Sequence, residues 1–161
     1  MIHYCNDRNA VGFVKRYYDD CVRLGKMANV PPLFILGLAA SETGYGKPDS
    51  FARVNNYFSM ETKSDTPNIK YAEGYVIAAG TVNDKHPTKI AKFPSFYVCG
   101  LSFIDRYGTA IRGASTPQQF VEALISSDFN SADKKTHGNP KFVSDVLGTI
   151  TAVTARIACP G

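Results

Sequence analysis

The stretch Leu33-Phe34-Ile35-Leu36-Gly37-Leu38-Ala39-Ala40 constrains the fold more than any other part of the chain, because it is apolar on every side. A helix without a polar face is buried nearly all round, at the centre of a fold rather than on its surface. It is also the longest apolar run, far short of the ~20 residues that cross a bilayer, so protein must surround it. Its ends are marked locally. Pro31-Pro32 suits a first helical turn, where the missing N–H costs nothing, and Gly44 and Gly46 can end the helix after Ser41-Glu42-Thr43.

The remaining segments supply the surrounding protein. Asn6 or Asp7 can cap a first helix, whose Ala10, Val14, Tyr17, Cys21 and Leu24 recur on one face. Residues 47–70 read as loop. Tyr75–Ala79 and Thr88–Phe93 read as two short strands joined by an Asn83–Pro87 hairpin loop. Ser95 can cap a helix running to about Gly113, Thr116-Pro117-Gln118-Gln119 opens another, and Asn139-Pro140 opens a last one through Val153. The expectation is a mostly helical α+β fold with a small hairpin lobe flanking a groove. With 161 residues, 44% of them hydrophobic and 20% charged, the chain is long and apolar enough to form one domain over 1–161.

Composition narrows the function. The net charge of +4 is scattered, and no helix-turn-helix, zinc-finger or aromatic RNA-binding pattern accompanies it, so a solvated surface is expected and nucleic acid is not. Cys5, Cys21, Cys99 and Cys159 form no Cys-x-x-Cys pair, which removes zinc-ligand and thioredoxin-like spacings. They allow two disulfides in three connectivities, or four buried thiols. Cys5 and Cys21 can pair only if the chain turns back before the first helix. His3, His86 and His137 are dispersed and read as loop residues. Cys99 lies in the apolar stretch Phe96–Phe103, which favours a buried thiol over the nucleophile of a cysteine hydrolase. No Gly-x-Ser-x-Gly elbow is present, and Asp49, Asp65 and Asp84 lack calcium-loop spacing. No metal and no cofactor are expected. Met1–Asp7 has no basic stretch followed by an apolar one, so no secretory signal is expected.

Glu42 stands at the end of the apolar helix. Loss of hydration and the negative end of the helix dipole both raise the pKa of a carboxyl group placed there. A carboxyl held protonated near neutral pH is what a general acid needs to protonate a glycosidic oxygen.

The segment Ile35 to Lys47 resembles the catalytic-glutamate helix of bacterial N-acetylglucosaminidases of the flagellar-hydrolase type, glycoside hydrolase family 73: an apolar helix, then Glu, Ser or Thr, Gly, an aromatic and Gly. Val54-Asn55-Asn56-Tyr57-Phe58-Ser59-Met60 is similar to that family's Asn-Asn-Leu-Phe-Gly-Ile segment. Ala91–Phe96 and Thr116–Ser126 are similar to later parts, so the resemblance spans about residues 8–155. The first block alone is shared with lytic transglycosylases and goose-type lysozymes, and the Asn-Asn-aromatic-Phe block favours glucosaminidase.

The resemblance implies a lysozyme-like fold, a peptidoglycan glycan strand as substrate, and Glu42 as general acid. It places Tyr45, Asn55, Asn56, Tyr57, Phe58 and Phe129 near the sugar, with Asn55 and Asn56 fixing the loop. Three positions depart from the pattern. Ala79-Gly80-Thr81 stands where the family often has a second carboxylate, leaving Glu61, Glu73 and Asp84 as substitutes. Phe129-Asn130-Ser131 replaces a Tyr-Ala-Thr segment and its hydroxyl. Ser59 replaces the usual Gly. The second catalytic group is then either one of those carboxylates activating water, or the substrate's own acetamido oxygen. A muramidase or lytic transglycosylase using the same glutamate, and a non-catalytic wall-binding domain, are the alternatives. Because no signal, wall-anchoring repeat or second domain is expected, the chain also resembles type VI secretion toxins. That resemblance implies a monomer acting in a competitor's periplasm and an immunity protein that inserts beside Glu42.

Overall fold

The computed structural model describes residues 3–62, 69–129 and 140–161. Five α-helices and three short strands are present among them: α1 Arg8–Ala28, α2 Pro32–Thr43, β1 Glu61–Thr62, β2 Gly74–Ile77, β3 Lys89–Lys92, α3 Phe96–Ile111, α4 Pro117–Ser126 and α5 Pro140–Arg156. Each expected helix forms where its pattern lies. Asp7 caps α1 by accepting from the Ala10 N–H at 3.0 Å, Ser95 caps α3 through the Val98 N–H, and Thr116 caps α4 through the Gln119 N–H.

Helix α2 occupies the centre. Every side chain from Phe34 to Ala40 is buried, and α1 and α5 both pack against the helix. Gly37 makes the α5 contact close: a Cβ there would stand 2.5 Å from Cγ1 of Ile150. Only a residue without a side chain lets α5 pack directly on the α2 backbone. Among the described residues no single helix is long and apolar enough to cross a membrane.

The strands form one antiparallel sheet in the order β1-β3-β2. In its register Glu61 and Val76 both lie opposite Ile90. The hairpin β2–β3 is the expected one, slightly shorter. Strand β1 is an addition within the segment read as loop, because two residues carry no periodicity to detect.

The cysteines follow neither of the two simple expectations. Cys5 bridges to Cys159 across a sequence separation of 154, tying the turn before α1 to the chain after α5. Cys21 and Cys99 are buried thiols, so there is one disulfide rather than two or none.

Candidate active site

The last turn of α2 is locked from within. The Thr43 hydroxyl donates to the Ala39 carbonyl at 2.8 Å and accepts from the Gly46 N–H at 2.9 Å. Gly44, Tyr45 and Gly46 all take left-handed backbone conformations, with φ of 57°, 62° and 76°. The chain therefore turns sharply immediately after Glu42, which is the reason for glycines on both sides of Tyr45. Glu42 is left at the end of the helix, partly buried. Burial raises its carboxyl pKa above the ordinary value, a hydrogen bond from Ser59 lowers it, and the charge of Glu61 raises it.

The Asn55–Met60 segment approaches Glu42 and is itself held by hydrogen bonds. Asn55, left-handed at φ 57°, donates its amide to the Phe93 carbonyl at 3.0 Å. Asn56 is completely buried. Its amide donates to the carbonyls of Met60 and Ala91 and accepts from the Met60 N–H. Phe58, also fully buried, stacks on Phe103 with centroids 4.6 Å apart. Between these anchors Ser59 sits at φ 52° and places its hydroxyl 3.0 Å from Glu42 Oε2, to which it donates.

The other expected site residues separate into groups. Asn56 and Phe58 offer a ligand no surface: the amide is spent inside the loop and the ring inside the core. The loop-fixing part of the Asn56 expectation is therefore what its geometry performs. Phe129 is buried too and meets Tyr107 edge-on at 5.1 Å. Tyr45 and Tyr57 line a cleft of about 890 Å³ with Phe13, Arg16, Tyr17 and Lys47. That cleft begins at the turn after Glu42 and is not lined by Glu42 itself. Tyr57 is only 5% exposed, and its hydroxyl pairs with that of Tyr17 at 3.1 Å. The Tyr45 hydroxyl accepts from Arg156, whose Nε donates to the Tyr4 carbonyl. The disulfide-tied termini thus support the turn that follows Glu42.

Of the three substitute carboxylates, Glu61 on β1 is the one whose charge acts on Glu42. Glu73 is exposed just before β2, with its N–H on the Lys92 carbonyl. Asp84 is exposed in the hairpin turn, with its N–H on the Thr81 carbonyl. Cys99 is a core residue: burial pushes its thiol up to about 12, and its sulfur accepts from the Tyr57 N–H. His137 and residues 130–131 lie outside the described residues. Among the described residues no cluster of three His, Cys, Asp or Glu could hold a metal ion.

Two neighbours of Glu42 escaped the sequence. Ser59 registers there only as a departure from Gly. Tyr107 reads as one more residue on the core face of α3, yet its phenol is raised by burial and by the charges of Asp128 and Glu42, against a lowering by Arg106.

No known protein-family profile matches the chain, and no curated protein is similar to it at a significant level. Solved structures are. At 33% identity and a TM-score of 0.79, 97% of this chain matches 99% of a chain in the type VI secretion system effector-immunity complex from Pseudomonas protegens. A peptidoglycan hydrolase from Sphingomonas sp. A1 is similar at 16% identity and a TM-score of 0.69, over 94% of this chain and 97% of that one. A C-terminally truncated glycoside hydrolase domain of FlgJ from Salmonella typhimurium is similar at 17% identity and 0.62, over 91% and 98%. The mostly helical α+β fold with its three-stranded sheet is thus that of lysozyme-like peptidoglycan hydrolases.

Proposed function

From the premise that the chain belongs to the family of the type VI secretion effector from Pseudomonas protegens, we propose that it is an antibacterial endo-N-acetylglucosaminidase of peptidoglycan, with Glu42 as general acid. The observation that carries this is the position of Glu42. It is partly buried at the end of the central helix, with its pKa raised by that burial, beside the turn that opens into the cleft lined by Tyr45 and Tyr57. A carboxyl that keeps its proton near neutral pH gives it to the glycosidic oxygen as the bond breaks. The leaving sugar departs as an alcohol, and Glu42 becomes the carboxylate that Ser59 already faces.

The second group is Glu61. It supports this role by being the candidate whose charge reaches Glu42 from the neighbouring strand. An exposed carboxylate there can take a proton from water attacking the far face of the sugar, which gives inversion. The competing route uses the substrate's acetamido oxygen and gives retention without a second protein carboxylate. The anomer released first distinguishes them. A reducing-end N-acetylglucosamine marks a glucosaminidase; a reducing-end or anhydro-muramic product would assign the same glutamate to a muramidase or lytic transglycosylase.

The site of action is the periplasm of a rival cell, and the partner is an immunity protein covering the groove beside Glu42. The relative's structure, solved as an effector-immunity complex, supports that pairing. Expression with and without a fused periplasmic signal tests it. Lysis is expected only with the signal, with rescue by one small protein from the producing organism. Harmless periplasmic expression of a protein that cuts wall in the test tube would remove the toxin reading and leave the hydrolase.

A further inference from the structure

We infer that Ser59 is a positioning residue for Glu42, holding the carboxyl by Oε2 so that Oε1 carries the proton delivered to the substrate. The inference deepens the reading of Glu42 as general acid and rests on it. Three observations support it. First, the Ser59 hydroxyl donates to Oε2 at 3.0 Å. An oxygen that already accepts a hydrogen bond is the poorer base, so the proton resides on the other one. Second, Ser59 has φ 52°, a conformation in which glycine is at ease and an L side chain is strained. A residue with a hydroxyl stands there nonetheless, and its hydroxyl is directed at Glu42. Third, the hydroxyl is held in place from both sides. Asn56 fixes the Met60 backbone through its N–H and carbonyl, and Phe58 is stacked on Phe103. Ser59 is carried between these two anchors.

The chemical consequence has a definite sign. A donor on the carboxylate stabilises the product of proton transfer and opposes the effects of burial and of Glu61. Among the described residues, the other groups electrostatically linked to Glu42 are Glu61 from β1 and Tyr107 from α3, the latter also acted on by Arg106 and Asp128. Loss of Ser59 therefore leaves Glu42 protonated to higher pH but badly aimed and a weaker acid.

The test uses Ser59→Ala, which removes the hydroxyl, and Ser59→Gly, which also relieves the backbone. Two readouts are needed: the pH profile of hydrolysis of purified sacculi, and titration of the Glu42 carboxyl carbon by NMR in the whole protein. Both variants are expected to move the alkaline limb and the Glu42 titration upward together. The kcat should fall roughly tenfold, the equivalent of one modest hydrogen bond, with KM unchanged, since Ser59 touches Glu42 and not the sugar. Should Ser59→Ala not fold, Ser59→Gly decides alone. A Glu42 titration identical to wild type in the variants overturns the inference, whether or not the rate falls, because the serine would then act only through the loop. If wild-type protein hydrolyses no peptidoglycan, the functional reading fails, while the NMR titration still decides whether Ser59 holds Glu42.

Discussion

Replacing Asn56 with alanine tests whether the Asn55–Met60 segment is a brace for the site rather than a sugar-binding surface. Asn56 has no exposed surface. Its amide donates at 2.8 Å to the Met60 carbonyl and 3.0 Å to the Ala91 carbonyl, and accepts at 2.9 Å from the Met60 N–H. Alanine strands that N–H where water does not reach, at about 1–3 kcal/mol. The two donated bonds add about 0.5–1.5 kcal/mol each, tempered at Met60 because its carbonyl also receives the Ala91 N–H. The sum, about 2–6 kcal/mol, is a large part of a typical total of about 5–15 kcal/mol. Guanidinium denaturation measures it, with turnover assayed where the variant is still folded. Hydrolysis should fall as well, since Ser59 is hung from this loop. Asn56→Asp keeps the shape and the acceptor but turns an oxygen toward two carbonyls, and should be destabilised at least as much. A loss below about 1 kcal/mol for Asn56→Ala, less than one net hydrogen bond is typically worth, with unaltered turnover would refute the brace.

Three further outcomes are expected. Cys5→Ala should cost about 2–5 kcal/mol by thermal unfolding, reductant should do the same to wild type and nothing more to the variant, and an unshifted midpoint would deny the bridge a structural role. Glu61→Gln should abolish turnover in a folded protein while Glu73→Gln and Asp84→Asn retain it; turnover that survives Glu61→Gln hands the second role to the substrate's acetamido group. Glu42 has a raised folded pKa, so the native state holds that proton to higher pH than the unfolded chain, and stability falls as pH rises from the unfolded value through the folded one. Glu42→Gln, which cannot ionise, should therefore melt higher than wild type at neutral pH and equally at acid pH; a neutral-pH melting point below wild type would contradict the burial argument.

What was legible in the sequence follows from period and punctuation. Leu33–Ala40 has no polar phase, so its burial on nearly every side follows from the sequence, while its partners α1 and α5 come from the tertiary fold. The prolines, glycines and capping residues fixed the helix ends for the same local reasons. Strand β1 was illegible because its order comes from pairing with β3, a tertiary cause. The Cys5–Cys159 bridge depends on where α5 ends relative to the turn before α1, which spacing along the chain does not encode. At the site, Glu42 was legible as a charge where the pattern is otherwise apolar. The resemblance places Asn56 and Phe58 near the sugar, and a motif names residues without saying which way they face. Their side chains turn inward to hold the loop. Ser59 was visible only as a departure, since its role needs the 3.0 Å approach of two segments 17 residues apart.

The central claim is that Glu42 is the proton donor of a peptidoglycan glycosidase, and mass spectrometry of the muropeptides released from purified sacculi tests it most directly. Wild-type protein should release fragments ending in a reducing N-acetylglucosamine. Glu42→Gln, folded by circular dichroism, should release almost none. Equal release by a folded Glu42→Gln protein would contradict the account.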